Sequence, residues 1–249
     1  MQADDTWRHP TKDVQLSDGD VHVWRVLFER FAHEADTYLP VMSDEEKERA
    51  ERFHFDSGRI QYIVTRTALR KTLARYTGAD AHTLCFEYSA HGKPILSGAD
   101  GPQFNVAHSG GLALIALAKH GLVGVDVEAR RPDFAGQRIA NRFFSAREAG
   151  ALRNLPSEQH ERGFLNCWTR KEAYIKARGD GLSCPLDSFD VSLAPDEPAR
   201  LLSVKGDPGE AAHWTMRALS LGDDFAAAVA VRGPFERLCC WDWTNEVQP

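Results

Sequence analysis

Helical-period segments and short strand-like runs alternate along this chain, and the same alternation occurs in both halves. That pattern restricts the fold more than any other feature of the sequence. In the first half, apolar and polar residues alternate from Val21 to Phe28 as in a half-buried strand. Ser43-x-x-Glu46 is a capping box that opens a short charged helix over Asp44 to Phe53. Between Arg59 and Tyr76, Ile60, Ile63, Val64, Thr67, Ala68 and Ala74 recur at helical spacing, and Arg59, Arg66, Arg70, Lys71 and Arg75 fill the other face. Gly78 supplies the stop. Strands are expected at Leu84 to Tyr88, Phe104 to His108, Leu112 to Ala118 and Val123 to Val127, with turns at His91-Gly92-Lys93-Pro94, Gly110-Gly111 and His120-Gly121.

The second half predicts helices over Phe134 to Phe143, Ser145 to Leu152 and Ser157 to Arg178, the last two opening at an N-cap serine. Strands are expected at Phe189 to Leu193, Trp214 to Leu219, Phe225 to Val231 and Leu238 to Trp243, and Ala194 to Pro198 is a loop. The fold class is therefore α/β (α+β), with helices and a small sheet in each half. The expected division is a polar, flexible arm over residues 1–20, an N-terminal subdomain over 21–121 and a C-terminal subdomain over 122–249.

Composition excludes several classes of function. At 249 residues the chain is one large domain or two small ones. Its 43% hydrophobic and 27% charged residues are those of a globular protein rather than a disordered or collagen-like one. With 30 Lys and Arg against 36 Asp and Glu, a net charge of −6 argues against binding nucleic acid through its phosphates. Leu112 to Ala118, the longest strongly apolar run, falls far short of the roughly 20 residues of a membrane span, so no membrane role is expected. Asp4, Asp5, Asp13, Asp18 and Asp20 break the basic-then-apolar order of a signal peptide, which predicts a cytoplasmic protein. The five cysteines form no C-x-x-C pair, so they read as reduced thiols rather than disulfides or zinc ligands. Cys239 and Cys240 would point to opposite faces of a strand.

Three segments carry candidate chemistry. In Gly124-Val125-Asp126-Val127-Glu128, strand alternation puts both carboxylates on one face and both valines on the other. Two neighbouring carboxylates repel unless a cation joins them, and Mg²⁺ suits oxygen ligands of this kind. In Phe164 to Ala177, Trp168, Glu172 and Lys176 stand four apart on one helix face. Alone, Glu172 and Lys176 would be an ordinary surface pair worth about 0.3–0.5 kcal/mol. Beside Asp126 and Glu128, Glu172 becomes a third acid for one Mg²⁺, with Lys171 and Lys176 as the cations that phosphate transfer requires. The strand Phe104 to Ser109 ends in His108, Ser109 and Gly110-Gly111, which suit phosphate oxygens. A Ser-His hydrolytic dyad is the rival, but neighbours on a strand diverge and no G-x-S-x-G elbow is present.

The segments Gly124 to Glu128, Trp168 to Ala177, Phe104 to Ser109 and Gly92 to Pro94 resemble, in order and spacing, those of the Sfp-type 4′-phosphopantetheinyl transferases. Arg142-Phe143-Phe144-Ser145-x-x-Glu148 and Gly181-Leu182-Ser183-x-Pro185-Leu186-Asp187 extend the likeness to residues 40–193. The resemblance implies two α/β halves related by a pseudo-twofold axis, a monomer, with coenzyme A and Mg²⁺ at their junction. It implies an enzyme that moves the 4′-phosphopantetheine arm of coenzyme A onto a serine of an apo acyl, peptidyl or aryl carrier protein and releases adenosine 3′,5′-bisphosphate. Such carriers serve fatty acid, polyketide or nonribosomal peptide biosynthesis.

By the same resemblance, Asp126, Glu128 and Glu172 would hold Mg²⁺, and Lys176 would neutralise the pyrophosphate. Glu172 or Glu128 would be the base. His108 would contact the 3′-phosphate. Lys93 and Pro94 would lie at the adenine side, Lys171 would face the phosphates, and Arg49 would line the coenzyme A pocket. Gln61 stands where the family often has an arginine, so Arg59 or Arg66 would substitute. Asn141 to Ser145 with the following helix would receive the carrier. The alternatives are another Mg²⁺-dependent phosphotransferase and a non-catalytic coenzyme A or carrier-binding protein.

Overall fold

A computed structural model describes residues 6–11, 14–98, 101–130, 136–179 and 181–245. Strand β1 (Asp20–Leu27) leads into a one-turn helix α1 (Phe28–Phe31), then α2 (Asp44–Glu51) and the long α3 (Asp56–Thr77). A small hairpin, β2 (Phe86–Tyr88) with β3 (Pro94–Leu96), precedes β4 (Gln103–Ser109), β5 (Leu112–Ala118) and β6 (Val123–Ala129). Helices α4 (Gly136–Phe143), α5 (Ala146–Asn154) and α6 (His160–Arg178) follow, then β7 (Phe189–Val191), β8 (Leu201–Val204), β9 (Trp214–Ala218), β10 (Phe225–Arg232) and β11 (Arg237–Asp242).

Local chemistry accounts for the helix ends. Ser43 and Ser145 each accept from the backbone N–H three residues on, and Glu46 and Glu148 return the bond, so both capping boxes form. Helices α3 and α6 end on Gly78 (φ 71°) and Gly179 (φ 78°), which occupy the left-handed region without strain. Ser157 is not a helix cap: Ser157–Gln159 form a 3₁₀ turn and the α-helix begins at His160. The expected start at Phe134 lies outside the described residues.

Two sheets of order β11-β1-β5-β4 and β6-β10-β9 stack between two helices. Strict alternation separates the layers. On β5, Ala113, Ile115 and Leu117 pack with Ile63, Val64 and Ala68 of α3, while Leu112, Leu114 and Ala116 meet the second sheet. On β10, Ala227, Val229 and Val231 meet the first sheet, while Ala226, Ala228 and Ala230 pack with α6. The layers therefore run α3, first sheet, second sheet, α6.

The expected divide at residues 121/122 falls in the turn between β5 and β6. Strand β11, expected with the C-terminal half, instead lies parallel to β1 in the first sheet, pairing Val23 with Cys240 and Trp24 with Trp241. It brings Trp243 into the first core. Residues 6–11, expected as part of a flexible arm, are held along the outer side of β11: Arg8 N–H donates to the Cys240 carbonyl at 3.0 Å, and Asp242 N–H to that of Arg8 at 2.8 Å. A bare strand edge with unmet backbone groups is the physical reason for that docking. Cys239 is half-buried and Cys240 buried, on opposite faces as expected, and none of the five cysteines, all among the described residues, forms a disulfide.

Helix α6 lies so close to β6 that only glycine fits at position 124. A Cβ there would stand 2.1 Å from the Ala173 carbonyl oxygen and 2.3 Å from the Ala177 nitrogen, both backbone atoms. Gly124→Ala is expected to cost about 1–3 kcal/mol through overpacking. In scanning calorimetry that is a fall in Tm of about 2–4 °C per kcal/mol for a chain of this size. An unchanged Tm would contradict the close approach.

Candidate active site

Gly124, Asp126 and Glu128 share the face of β6 turned towards α6, because Val123, Val125 and Val127 are spent on the first sheet. Helix α6 presents Glu172 and, one turn on, Lys176 to that face. Lys176 Nζ donates to Asp126 Oδ1 at 2.6 Å. Asp126 is only 4% exposed, and its Oδ2 is buried without a hydrogen-bond partner. Burial pushes its carboxyl up to about 7; Lys176 opposes the rise, and Glu128 and Glu172 add to it. Burial also raises Glu172, opposed by Lys176 and reinforced by Glu128. Partial desolvation, and then the Lys176 charge, hold the His108 imidazole below its ordinary range, while Glu128 pulls it up. Asp126, Glu128, Glu172, His108 and Lys176 thus feel one another across the seam between strands and helix.

Such a site suits a hard divalent cation. Three carboxylates face one ammonium, the donor set is all oxygen, and an orphaned carboxylate oxygen lies at its buried end. Among the described residues no three His, Cys, Asp or Glu side chains already close around a common point. The fit rests on the orphaned Asp126 Oδ2 and on the donor chemistry.

Other expected residues lie around this centre. Lys93 Nζ donates to the carbonyls of Val123 (3.2 Å) and Ala177 (3.0 Å), and burial pulls its pKa down to about 8. It therefore pins the β2–β3 hairpin to the α6–β6 seam, beside Lys176. Pro94 pairs with Tyr88 across that hairpin. The Tyr88 hydroxyl accepts from Arg66 at 3.0 Å. The Arg49 guanidinium lies 5.3 Å over the Tyr62 ring. Of the arginines expected near the 3′-phosphate, Arg59 pairs with Asp36 at 2.8 Å and Arg66 with Glu46. Gln61 is half-buried.

Lys171 departs from expectation. It is fully buried, and its three donors go to the Glu148 carboxylate (2.8 Å), the Leu186 carbonyl (2.7 Å) and the Phe189 carbonyl (2.6 Å). No proton is left for a phosphate. The reason is helical geometry: one residue is 100° of rotation, which turns Lys171 away from the seam that Glu172 faces. Glu148 was legible as a capping residue, but its other oxygen also accepts from Val191 N–H at 2.8 Å, so it joins α5, β7 and α6. Asn105 was missed: its Oδ1 accepts from Val125 N–H at 3.0 Å, a bond between strands of different sheets that no local pattern announces.

Residues 27–120 match the family model "4′-phosphopantetheinyl transferase, N-terminal", and residues 122–230 match "4′-phosphopantetheinyl transferase superfamily". The chain is 36% identical over 231 residues to the 4′-phosphopantetheinyl transferase HetI of a Nostoc species, covering 92% of this chain and 94% of that one. It is 32% identical to the 4′-phosphopantetheinyl transferase psf-1 of Bacillus pumilus, covering 78% and 81% of the two chains. With the 4′-phosphopantetheinyl transferase Sfp of Bacillus subtilis it shares 30% identity over 71% of this chain and 82% of that one. A relation of this extent, running through both halves and across the acid-lined seam, makes the chain a transferase enzyme of the Sfp-type 4′-phosphopantetheinyl transferase family.

Proposed function

We propose that this enzyme moves the 4′-phosphopantetheine arm of coenzyme A onto a serine hydroxyl of an apo acyl, peptidyl or aryl carrier protein, releasing adenosine 3′,5′-bisphosphate in a Mg²⁺-dependent reaction. The observation that carries this reading is the buried Asp126, bound through one oxygen to Lys176, orphaned at the other, and flanked by Glu128 and Glu172. In this reading the two halves, meeting at residues 121/122 with β11 returned to the first, form the two walls of the substrate cleft, related by an approximate twofold axis, and the enzyme acts as a monomer.

Asp126, Glu128 and Glu172 would hold the Mg²⁺, which when bound polarises the pyrophosphate and offsets charge on the leaving group. The chain's own residues do the rest. Glu172, raised by burial, takes the proton from the serine hydroxyl; Glu128 is the other carboxylate within reach of that role. The serine oxygen bonds to the phosphorus that carries the pantetheine arm. The bond from that phosphorus to the bridging oxygen breaks, and its electron pair leaves on the adenosine bisphosphate. Lys176, bound to the buried Asp126, offsets that charge. His108 meets the 3′-phosphate, and the surface from Arg49 through Tyr62, Arg66 and Tyr88 to Lys93 and Pro94 suits the nucleotide end of coenzyme A.

Intact-mass spectrometry of apo carrier proteins incubated with enzyme, coenzyme A and Mg²⁺ should show the gain of one phosphopantetheine arm. EDTA should abolish it, and Glu172→Ala should slow it by about 10²–10⁴-fold, as expected for loss of a general base. Transfer at the wild-type rate in EDTA would refute the metal reading, and no gain on any carrier would refute the transferase substrate.

The Asp126 carboxyl is held above its unfolded value of 3.8, at about 7, so its protonation favours the folded state. That contribution is complete below about pH 4 and lost as pH rises through about 7. Mg²⁺ needs the ionised carboxylate. With coenzyme A present, Mg²⁺ should therefore raise Tm clearly at about pH 8 and hardly at about pH 5.5, and Asp126→Asn should erase the difference. An equal rise at both pH values would contradict it.

Lys171 and Lys176 separate stability from chemistry. Lys171→Ala strands the buried Glu148 charge and should cost about 3–5 kcal/mol in denaturant unfolding. Lys176→Ala should change the unfolding free energy by only about 1 kcal/mol, because the buried Asp126 carboxyl, already raised to about 7, takes up a proton when its lysine is gone, while kcat falls. The reverse pattern would exchange their roles.

A further inference from the structure

Strands β4 and β6 belong to different sheets, so no backbone ladder joins them. Two side chains of β4 join them instead. Asn105 accepts from Val125 N–H, and four residues on the Ser109 hydroxyl accepts from Ala129 N–H at 3.1 Å. These two stitches bracket Asp126 and Glu128.

The second stitch does more than hold backbone. A serine hydroxyl has one proton and can accept on its lone pairs. With the Ala129 N–H already directed at the oxygen, the proton goes to Glu128 Oε2, 2.9 Å away. The hydroxyl is thereby fixed in rotation, and it fixes one oxygen of the carboxylate in turn. Local geometry enforces this approach. Gly110, the next residue, has φ +55°, and a Cβ there would lie 2.2 Å from the Ala129 Cβ, so the strand end closes onto β6 only because position 110 has no side chain. Ser109 itself is half-buried, and so is Glu128.

We propose that Ser109 is a positioning residue that sets the carboxylate of Glu128 for cation binding, rather than a ligand of the coenzyme A phosphates as its place at a strand end suggests. It ties Ala129 N–H to Glu128 Oε2 and leaves Oε1 outside these two bonds. This rests on the reading of Glu128 as a Mg²⁺ ligand. The two roles predict different kinetics. A phosphate ligand contributes to substrate binding, so its loss raises KM for coenzyme A. A group that orients a metal-binding carboxylate acts on metal affinity and on kcat, by about 10–100-fold for supporting groups of this kind.

The test compares wild type, Ser109→Ala, Ser109→Thr, Glu128→Gln and the Ser109→Ala/Glu128→Gln double variant. Mg²⁺ binding is measured by isothermal titration in the presence of coenzyme A, and transfer is followed to an apo carrier. Ser109→Ala should weaken Mg²⁺ affinity and lower kcat by about 10–100-fold, with KM for coenzyme A within about twofold of wild type. Ser109→Thr, which keeps the hydroxyl, should restore both within about threefold, and it covers the case in which the alanine variant folds poorly. In the Glu128→Gln background, Ser109→Ala should add nothing to either readout. Unchanged Mg²⁺ affinity in Ser109→Ala, a tenfold rise in KM for coenzyme A at constant kcat, or an undiminished effect in the Glu128→Gln background would each overturn the proposal. A wild-type protein that binds no Mg²⁺ would overturn the metal reading itself, and is thereby told apart from failure of the Ser109 role.

Discussion

Helix α6 touches strand β6 backbone to backbone at Gly124, and the placement of the site follows from that contact. The Ala173 carbonyl and the Ala177 nitrogen occupy the space a side chain at 124 would need. Glu172 and Lys176 immediately precede those alanines, so the two residues that seat the helix also aim the two that carry charge at Asp126. Lys93 fastens the same seam from the other side, through the carbonyls of Val123 and Ala177. Small residues at 124, 173 and 177 are thus a condition for bringing three acids and a lysine together.

Two lysines five residues apart on α6 show how differently a protein can treat a buried charge. Lys171 spends every proton on Glu148 and two carbonyls, an arrangement that locks α5, α6 and β7 together. Asp126 has one oxygen satisfied and one not, with two more carboxylates nearby. A saturated pair contributes rigidity, whereas an unsaturated cluster costs stability unless a cation completes it. That contrast is the physical ground for reading one lysine as structural and the other as functional.

Much of this was legible locally. The alternation in Gly124 to Glu128 announced both a strand and the shared face of two acids, and the four-residue spacing of Trp168, Glu172 and Lys176 announced a helix face. Ser43 with Glu46 and Ser145 with Glu148 marked two helix starts that form as written. Lys171 shows where local reasoning stopped. Its neighbours suggested a phosphate contact, but which flank of α6 is interior depends on β7 and the turn before it, beyond the helix's own sequence. For Ser109 a strand end by itself suggests an anion ligand, whereas its bonds to Glu128 and Ala129 depend on β6, which no local pattern places beside it.

The sequence by itself determined the period of each element, the residue types at the site and the kinship of the chain, because these depend on near neighbours and on motifs that survive without coordinates. Only the tertiary structure decided that β11 returns to lie parallel to β1, that residues 6–11 cover its edge, and that β4 meets β6 through side chains instead of a ladder. Those contacts join residues as far apart as Arg8 and Asp242. Their free energy comes from burying surfaces and pairing backbone groups that are distant in sequence, and no local periodicity records which distant surface will be the partner.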